Sequence, residues 1–412
     1  MSARDTSPIR REGGGAGGVS RPAPAAPANR QESPVLPPGL TDEEIVARWL
    51  TAKATGRGRL ATTTLAQYRI EAERLFWYAR QTDVPISAWT LDDFAGFIAF
   101  LQAPAPWAMR ARAVRRGSPD WRPFLGPLTD RSAGQTQKIV TSLFEWLRDV
   151  GYLKINPAVG LPTVGRRAQG KQGRFVPPDL CALLCEAIDS RADDTRQEQL
   201  LKARDRFLVE LFSRTGLRTT EAVKCRMQHI EIHRVSGALR REFPDAPEFQ
   251  WLLHVESGKG GKERWVPCNE IALSLQAYRL AFGLPPVPAP DEALPLVLSA
   301  RRTRFGQWKG VRHRQAIWDV ITGLRDEAIA YARATGRDVD EKELKQFAGA
   351  STHWLRHSYA KGLAEALKHG LDARSALENM GHADQRTFNQ YVDDEPLKRA
   401  LATHLARERA TR

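Results

Sequence analysis

Cysteine is scarce: four in 412 residues are too few for a disulfide framework. Cys181 and Cys185 stand one helical turn apart in LCALLCEAI. Zinc sites prefer closer pairs with further ligands, and none cluster here, so buried, reduced thiols are expected. Long apolar runs are missing too. None approaches the roughly 18 residues that span a bilayer, no basic amphipathic helix stands beside a hydrophobic anchor, and the N-terminus has no apolar signal-peptide core. The chain therefore reads as cytosolic, with no membrane partner. No internal repeat is present. His357 follows His353 at i,i+4, but no glutamate adjoins His353 as the HExxH pattern requires, so no metal is expected.

Positive charge, by contrast, is abundant. Lys and Arg number 62 against 48 Asp and Glu, a formal +14 with a pI of about 9.9, which favours a polyanionic partner, DNA or RNA first. Hydrophobic residues at 42% and charged residues at 27% are those of a globular protein long enough for two domains. Residues 1–39, dominated by Gly, Ala, Pro, Ser and Arg (GGGAGG, RPAPAAPA), are expected to form a disordered tail. An all-helical domain is expected over 40–161. Its helices run through EEIVARWLTAK, capped by Thr41 or Asp42, then from the TTT run near Thr62, then Leu91–Leu101 capped by Thr90, then Ser132–Val150. A Pro-, Trp- and Arg-rich stretch at 104–128 interrupts them.

Residues 162–176 (PTVGRRAQGKQGRF and onward) read as a basic linker. A second domain is expected over 177–412. It opens with helices near 178–190 and 196–214, and alternating segments near 229–235, 249–256 and 263–268 suggest a small antiparallel sheet. Helices follow from about 270, broken by the loop GLPPVPAPDEALP.

Four motifs carry chemistry. In TGLRTTEA, Gly216 suits a left-handed helix end. Arg218 then opens the next helix, where N–H groups favour an anion, and Glu221 can hold the turn by hydrogen bonding. In SGKGGKER, glycines at 258, 260 and 261 permit a tight hairpin that projects Lys259, an amine suited to protonating or neutralising a leaving alkoxide; Lys262 is a rival for that role. STHWLRHSY begins a helix capped by Ser351 or Thr352, with His353 and Arg356 three apart on one face. MGHADQRTFNQYV places His382 just after a glycine and Tyr391 nine residues beyond. Two arginines and a lysine neutralise a phosphate, two histidines manage protons, and a tyrosine supplies a nucleophile.

In this order and spacing the motifs resemble those of the tyrosine recombinase, or phage integrase, family: Arg, a hairpin Lys, His-x-x-Arg, Gly-His, and Tyr about nine residues on. The likeness covers about 175–412, while the N-terminal part resembles the family's core-binding domain only in general pattern. It implies a fold that is mainly α with a small antiparallel β-sheet, an N-terminal all-α core-binding domain and a C-terminal α+β catalytic domain. Tyr391 would attack the scissile phosphate to give a 3′-phosphotyrosyl enzyme and a free 5′-hydroxyl. Arg218 and Arg356 would clamp the non-bridging oxygens, Lys259 would protonate the departing 5′ oxygen, His353 would bond the phosphate or assist proton transfer from Tyr391, and His382 would support the pocket. A second 5′-hydroxyl would reverse the step without ATP, metal or other cofactor. The implied partner is double-stranded DNA, held by a homotetramer or heterotetramer on paired sites, in a cytoplasmic, nucleoid-associated, bacterial-type setting.

Trp354 and Phe388 depart from residues common in relatives at those places, though neither removes a catalytic group. The segments 104–128 and 300–348 are longer than in compact members. EPLKRALATHLARERA should form a basic terminal helix, docking either on a neighbouring protomer or on its own domain. Two other readings share part of this pattern. A type IB topoisomerase would use the same tyrosine chemistry to relax DNA as a monomer. A non-catalytic DNA-binding relative would have lost catalytic residues, and none is missing here.

Overall fold

In a computed structural model that describes residues 29–56, 58–165, 174–256 and 263–381, the chain divides into two compact units, Met1–Gln169 and Gly170–Arg412. The expected terminal helix after Tyr391 lies outside the described residues.

The first unit is built on four helices whose starts are written in local chemistry. Thr41 and Glu44 close a capping box on α1 (Asp42–Ala54), and Thr90 and Asp93 do the same on α3 (Leu91–Gln102). Ahead of α3 runs α2 (Thr62–Thr82), and behind it α4 (Asp130–Asp149), capped by Thr129. Their apolar stripes meet in an aromatic core. Trp89 and Tyr78 pack edge to face at 5.9 Å, and Phe94 meets Phe144 at 5.8 Å.

Two buried carboxylates are fully engaged in this unit. Asp42 accepts from the Ser87 backbone N–H and hydroxyl at 3.1 Å each and from the Tyr152 hydroxyl at 2.6 Å. Glu71 accepts from Arg74 at 2.9 Å, from Thr136 at 2.9 Å, and from Gln67.

The expected tail of 1–39 is too long. The Gln31 N–H donates to the Tyr152 carbonyl at 3.0 Å, the Lys154 N–H donates to Asn29, and Arg30 bridges Leu153. This fastening uses backbone groups, which need no apolar periodicity and so leave no mark in composition. The expected linker of 162–176 is also shortened at both ends. Gln137 holds the Pro162 carbonyl at 3.1 Å and the Val164 N–H at 2.7 Å, while Val176 exchanges bonds of 2.9 and 2.8 Å with Ser358.

The second unit opens with α5 (Pro178–Asp189), α6 (Arg196–Thr215) and the short α7 (Thr219–Lys224). Cys181 and Cys185 sit on α5 as free thiols, half-buried rather than buried; loss of water pushes them up to about 12 and about 11. A three-stranded antiparallel sheet follows, ordered β1 (Ile230–Arg234), β2 (Phe249–Val255), β3 (Arg264–Pro267), with the small helix α8 (Gly237–Glu242) between the first two strands. Its register pairs Ile230 with Leu253 and Leu253 with Val266. Strand alternation turns Leu253, Val255, Arg264 and Val266 to the buried face.

After α9 (Ala272–Ala281), the proline-rich loop is gathered by Arg279. This fully buried side chain reaches both oxygens of Glu292 at 2.8 Å and the carbonyls of Pro285 and Val287 at 2.7 and 3.2 Å. Next comes a second, unforeseen hairpin, β4 (Leu298–Arg302) and β5 (Trp308–Gly310). Four helices complete the described chain: α10 (Arg314–Thr335), α11 (Glu341–Phe347), α12 (Thr352–Ala366) and α13 (Ala373–Met380). The fold is thus mainly α with small antiparallel sheets.

Candidate active site

Helix α6 ends on Gly216, whose φ of +59° is left-handed. No side chain fits there, because an added Cβ would lie 2.2 Å from Cδ1 of Tyr359. The chain then turns, and Arg218 becomes the N-cap of α7. Glu221 fixes this cap, accepting from the Arg218 N–H at 2.8 Å and from its guanidinium at 2.7 Å.

That carboxylate has a second partner that motif reading overlooked. Arg264, on the buried face of β3, donates to both Glu221 oxygens at 3.0 and 2.7 Å. The side chains of Glu221 and Arg264 are only 2% and 6% exposed. Burial alone would push the Glu221 carboxyl up, but the Arg264 and Arg218 guanidiniums and the Arg218 N–H overcome it and hold it at about 2. A signal existed in the sequence: Arg264 falls in phase with Val266, on the side of the strand that points inward.

The three arginines meet at one place. Arg264 donates to the carbonyl of Asn379 at 3.2 Å, Arg356 to that of Met380, and Arg218 to that of Gly381 at 3.3 Å. Three guanidiniums thus occupy three successive carbonyls at the C-terminal end of α13, where orphan acceptors and the negative pole of the helix both favour cations. Arg356, itself buried, also donates to the carbonyl of Gly216 and so joins the ends of α6 and α13. The cluster as described holds three guanidiniums and one carboxylate. His382 is the next residue in sequence after Gly381.

The first turn of α12 borders this cluster, since Thr352 lies 3.4 Å from Thr219 through their hydroxyl oxygens. His353 stands exposed on that turn, with its ring 4.3 Å from that of the buried His357 at 72°. The structure therefore brings Arg218 and Arg356 to one helix end and sets His353 on the helix that carries Arg356. Lys259, its rival Lys262, His382 and Tyr391 lie outside the described residues.

No family model matches the chain. Tyrosine recombinase XerD of Mycobacterium tuberculosis is 30% identical to it over 285 residues, which cover 68% of this chain and 74% of the relative. The chain belongs to the tyrosine recombinase family. XerD of Vibrio cholerae is 26% identical to the recombinase over 381 residues, covering 89% of this chain and 94% of the relative. Among solved structures, XerH site-specific recombinase in a post-cleavage complex with a palindromic difH substrate matches with a TM-score of 0.54 at 16% identity, covering 88% of this chain and 84% of that one. A lambda integrase dimer bound to a COC′ core site matches with a TM-score of 0.53 at 14% identity, covering 86% and 78%. At these identities the structural likeness speaks for the fold alone. The recombinase is an enzyme of DNA strand breakage and rejoining.

Proposed function

We propose that the recombinase cuts and rejoins duplex DNA at specific sites through a 3′-phosphotyrosyl link to Tyr391. The observation that carries the assignment of residues is the convergence of Arg218, Arg264 and Arg356 on the carbonyls of residues 379–381, immediately before the segment that holds His382 and Tyr391. Arg218 and Arg356 clamp the non-bridging oxygens of the scissile phosphate as charge builds there, Lys259 protonates the leaving 5′ oxygen, His353 bonds the phosphate or assists proton transfer from Tyr391, and His382 supports the pocket. A covalent link conserves the phosphodiester energy and splits one displacement into two matched steps. Fixed cationic donors then do the work a divalent cation does in other nucleases, and loss of one is expected to slow cleavage by ~10²–10³.

In this reading, unit 1 is the core-binding domain and unit 2 the catalytic domain. The enzyme acts as a tetramer on two paired sites and works at the nucleoid.

The test is a pool of nicked duplexes that trap the cleaved strand on the protein. A covalent adduct is expected with the parent chain in EDTA and none with Tyr391→Phe. An adduct that survives the substitution overturns the nucleophile, and one that vanishes in EDTA overturns the metal-free mechanism.

A further inference from the structure

Arg264 has no part in the roles assigned above, yet it joins three of the elements that carry them. It opens β3 opposite Val255, at the foot of the loop whose sequence contains Lys259. From there its guanidinium reaches Glu221 on α7 and the Asn379 carbonyl at the end of α13. It also lies against Gly381, where an added Cβ would stand 3.1 Å from its Nη1.

The balance of charge at Glu221 shows what this does. A carboxylate has about four lone-pair sites, and N–H donors fill them here. Arg264 donates at 3.0 and 2.7 Å, the Arg218 guanidinium at 2.7 Å and the Arg218 backbone at 2.8 Å. Without Arg264, Arg218 would face this buried carboxylate as its sole guanidinium partner among the described residues. Such a pair closes into a two-pronged bond with no net charge, and the fork would turn inward. With Arg264 present, two guanidiniums against one carboxylate leave one positive charge over. Arg218 gives Glu221 one terminal nitrogen and the Gly381 carbonyl the other, at 3.3 Å. Its side chain is 24% exposed against 6% for Arg264. The buried cation thus answers the carboxylate, and the exposed one keeps its charge for a ligand.

We propose that Arg264 is a positioning residue of strand cleavage: by filling the Glu221 carboxylate it holds the Arg218 fork open and leaves its positive charge to the scissile phosphate. This role rests on the reading that Arg218 clamps that phosphate. Arg264 acts through Arg218 and, buried beneath it, is not itself a catalytic residue.

The experiment follows single-turnover adduct formation by the full chain on nicked duplexes, counted per folded molecule. The adduct of the parent marks the cleaved phosphate, and a second duplex carries a methylphosphonate there, in both stereoisomers. Its methyl group replaces one charged non-bridging oxygen, so less negative charge builds for an arginine to meet. Arg264→Met should slow cleavage of the phosphate by ~10² and of the methylphosphonate several-fold less, as Arg218→Met should. Adding Glu221→Gln to Arg264→Met removes the carboxylate that competes for Arg218, so the double variant should cleave the phosphate faster than Arg264→Met alone. Should Arg264→Met not fold, Arg264→Lys, which keeps the charge but not the two-pronged bond, gives the same comparison of substrates. Arg279→Lys controls for lost stability and should leave both rates unchanged.

Equal slowing on the two substrates, as a loosened scaffold would give, overturns the proposal. So does a parent-like rate in Arg264→Met, or a double variant no faster than Arg264→Met. A parent chain that forms no adduct on the phosphate fails the tyrosine reading itself and takes this role with it.

Discussion

Replacing Arg264 by methionine tests whether the buried pair of Arg264 and Glu221 holds the arginine cluster together. The substitution keeps most of the apolar stem and removes the guanidinium. Of the four N–H···O contacts at the Glu221 carboxylate, the two from Arg218 remain and the two from Arg264, at 3.0 and 2.7 Å, are lost. Breaking a buried pair by deleting one partner costs about 3–5 kcal/mol, because the survivor stays desolvated. For a unit of this size that corresponds to a fall of roughly 6–20 °C in the unfolding midpoint.

The sign of the pH effect follows from Glu221. Its folded pKa is depressed from 4.5 to about 2, so the stability it confers is present above 4.5 and is lost as pH falls from there toward 2. That contribution is on the order of 3 kcal/mol. Without Arg264 the burial that raises the carboxyl is opposed only by Arg218, the folded pKa climbs, and the acid-range loss of stability shrinks.

Urea titrations of the parent and of Arg264→Met across this range measure both effects. The double variant Glu221→Gln, Arg264→Met should recover part of the loss, which isolates the coupling of the pair. An Arg264→Met chain as stable as the parent at neutral pH, with the same acid dependence, would refute the reasoning.

Two further substitutions separate fold from chemistry. Gly216→Ala puts a side chain at φ +59°, which costs ~1–2 kcal/mol in backbone strain alone, and drives a Cβ into Tyr359. Both stability and single-turnover cleavage should fall, because the displaced Gly216 carbonyl is the acceptor of Arg356; parent-like behaviour in urea and in cleavage would contradict this. Arg279→Lys gives up the two-pronged bond to Glu292 and should cost a few kcal/mol of stability while leaving the cleavage rate per folded molecule unchanged. A slower rate at full stability would place that loop in the chemistry instead.

Local features of the chain were legible in advance, and distant ones were not. The caps at Thr41 and Thr90, the left-handed stop at Gly216 and the hold of Glu221 on Arg218 each depend on residues within four positions of one another. The alternation of β1, β2 and β3 was equally readable. The hairpin of β4 and β5 escaped because its strands are short, with only Leu298 and Ala300 turned inward. Arg264 escaped for another reason: it stands inside a recognisable motif, but its partners Glu221 and Asn379 are 43 and 115 residues away. The spacing of His353 and Arg356 placed them one turn apart. It did not show that one would face solvent and the other would be sunk beneath the cluster, because that depends on what α12 packs against.

The end of α13 also bears on the order in which the arginine cluster can come together. Its three arginines arrive from sequence separations of 163, 115 and 24 residues, and contacts across long separations form late because chain closure must precede them. A nascent or half-unfolded chain keeps these cations scattered. On the proposed roles of Arg218 and Arg356, the phosphate clamp forms only once these long-range contacts close, so cleavage competence would report that this part of the fold is in place.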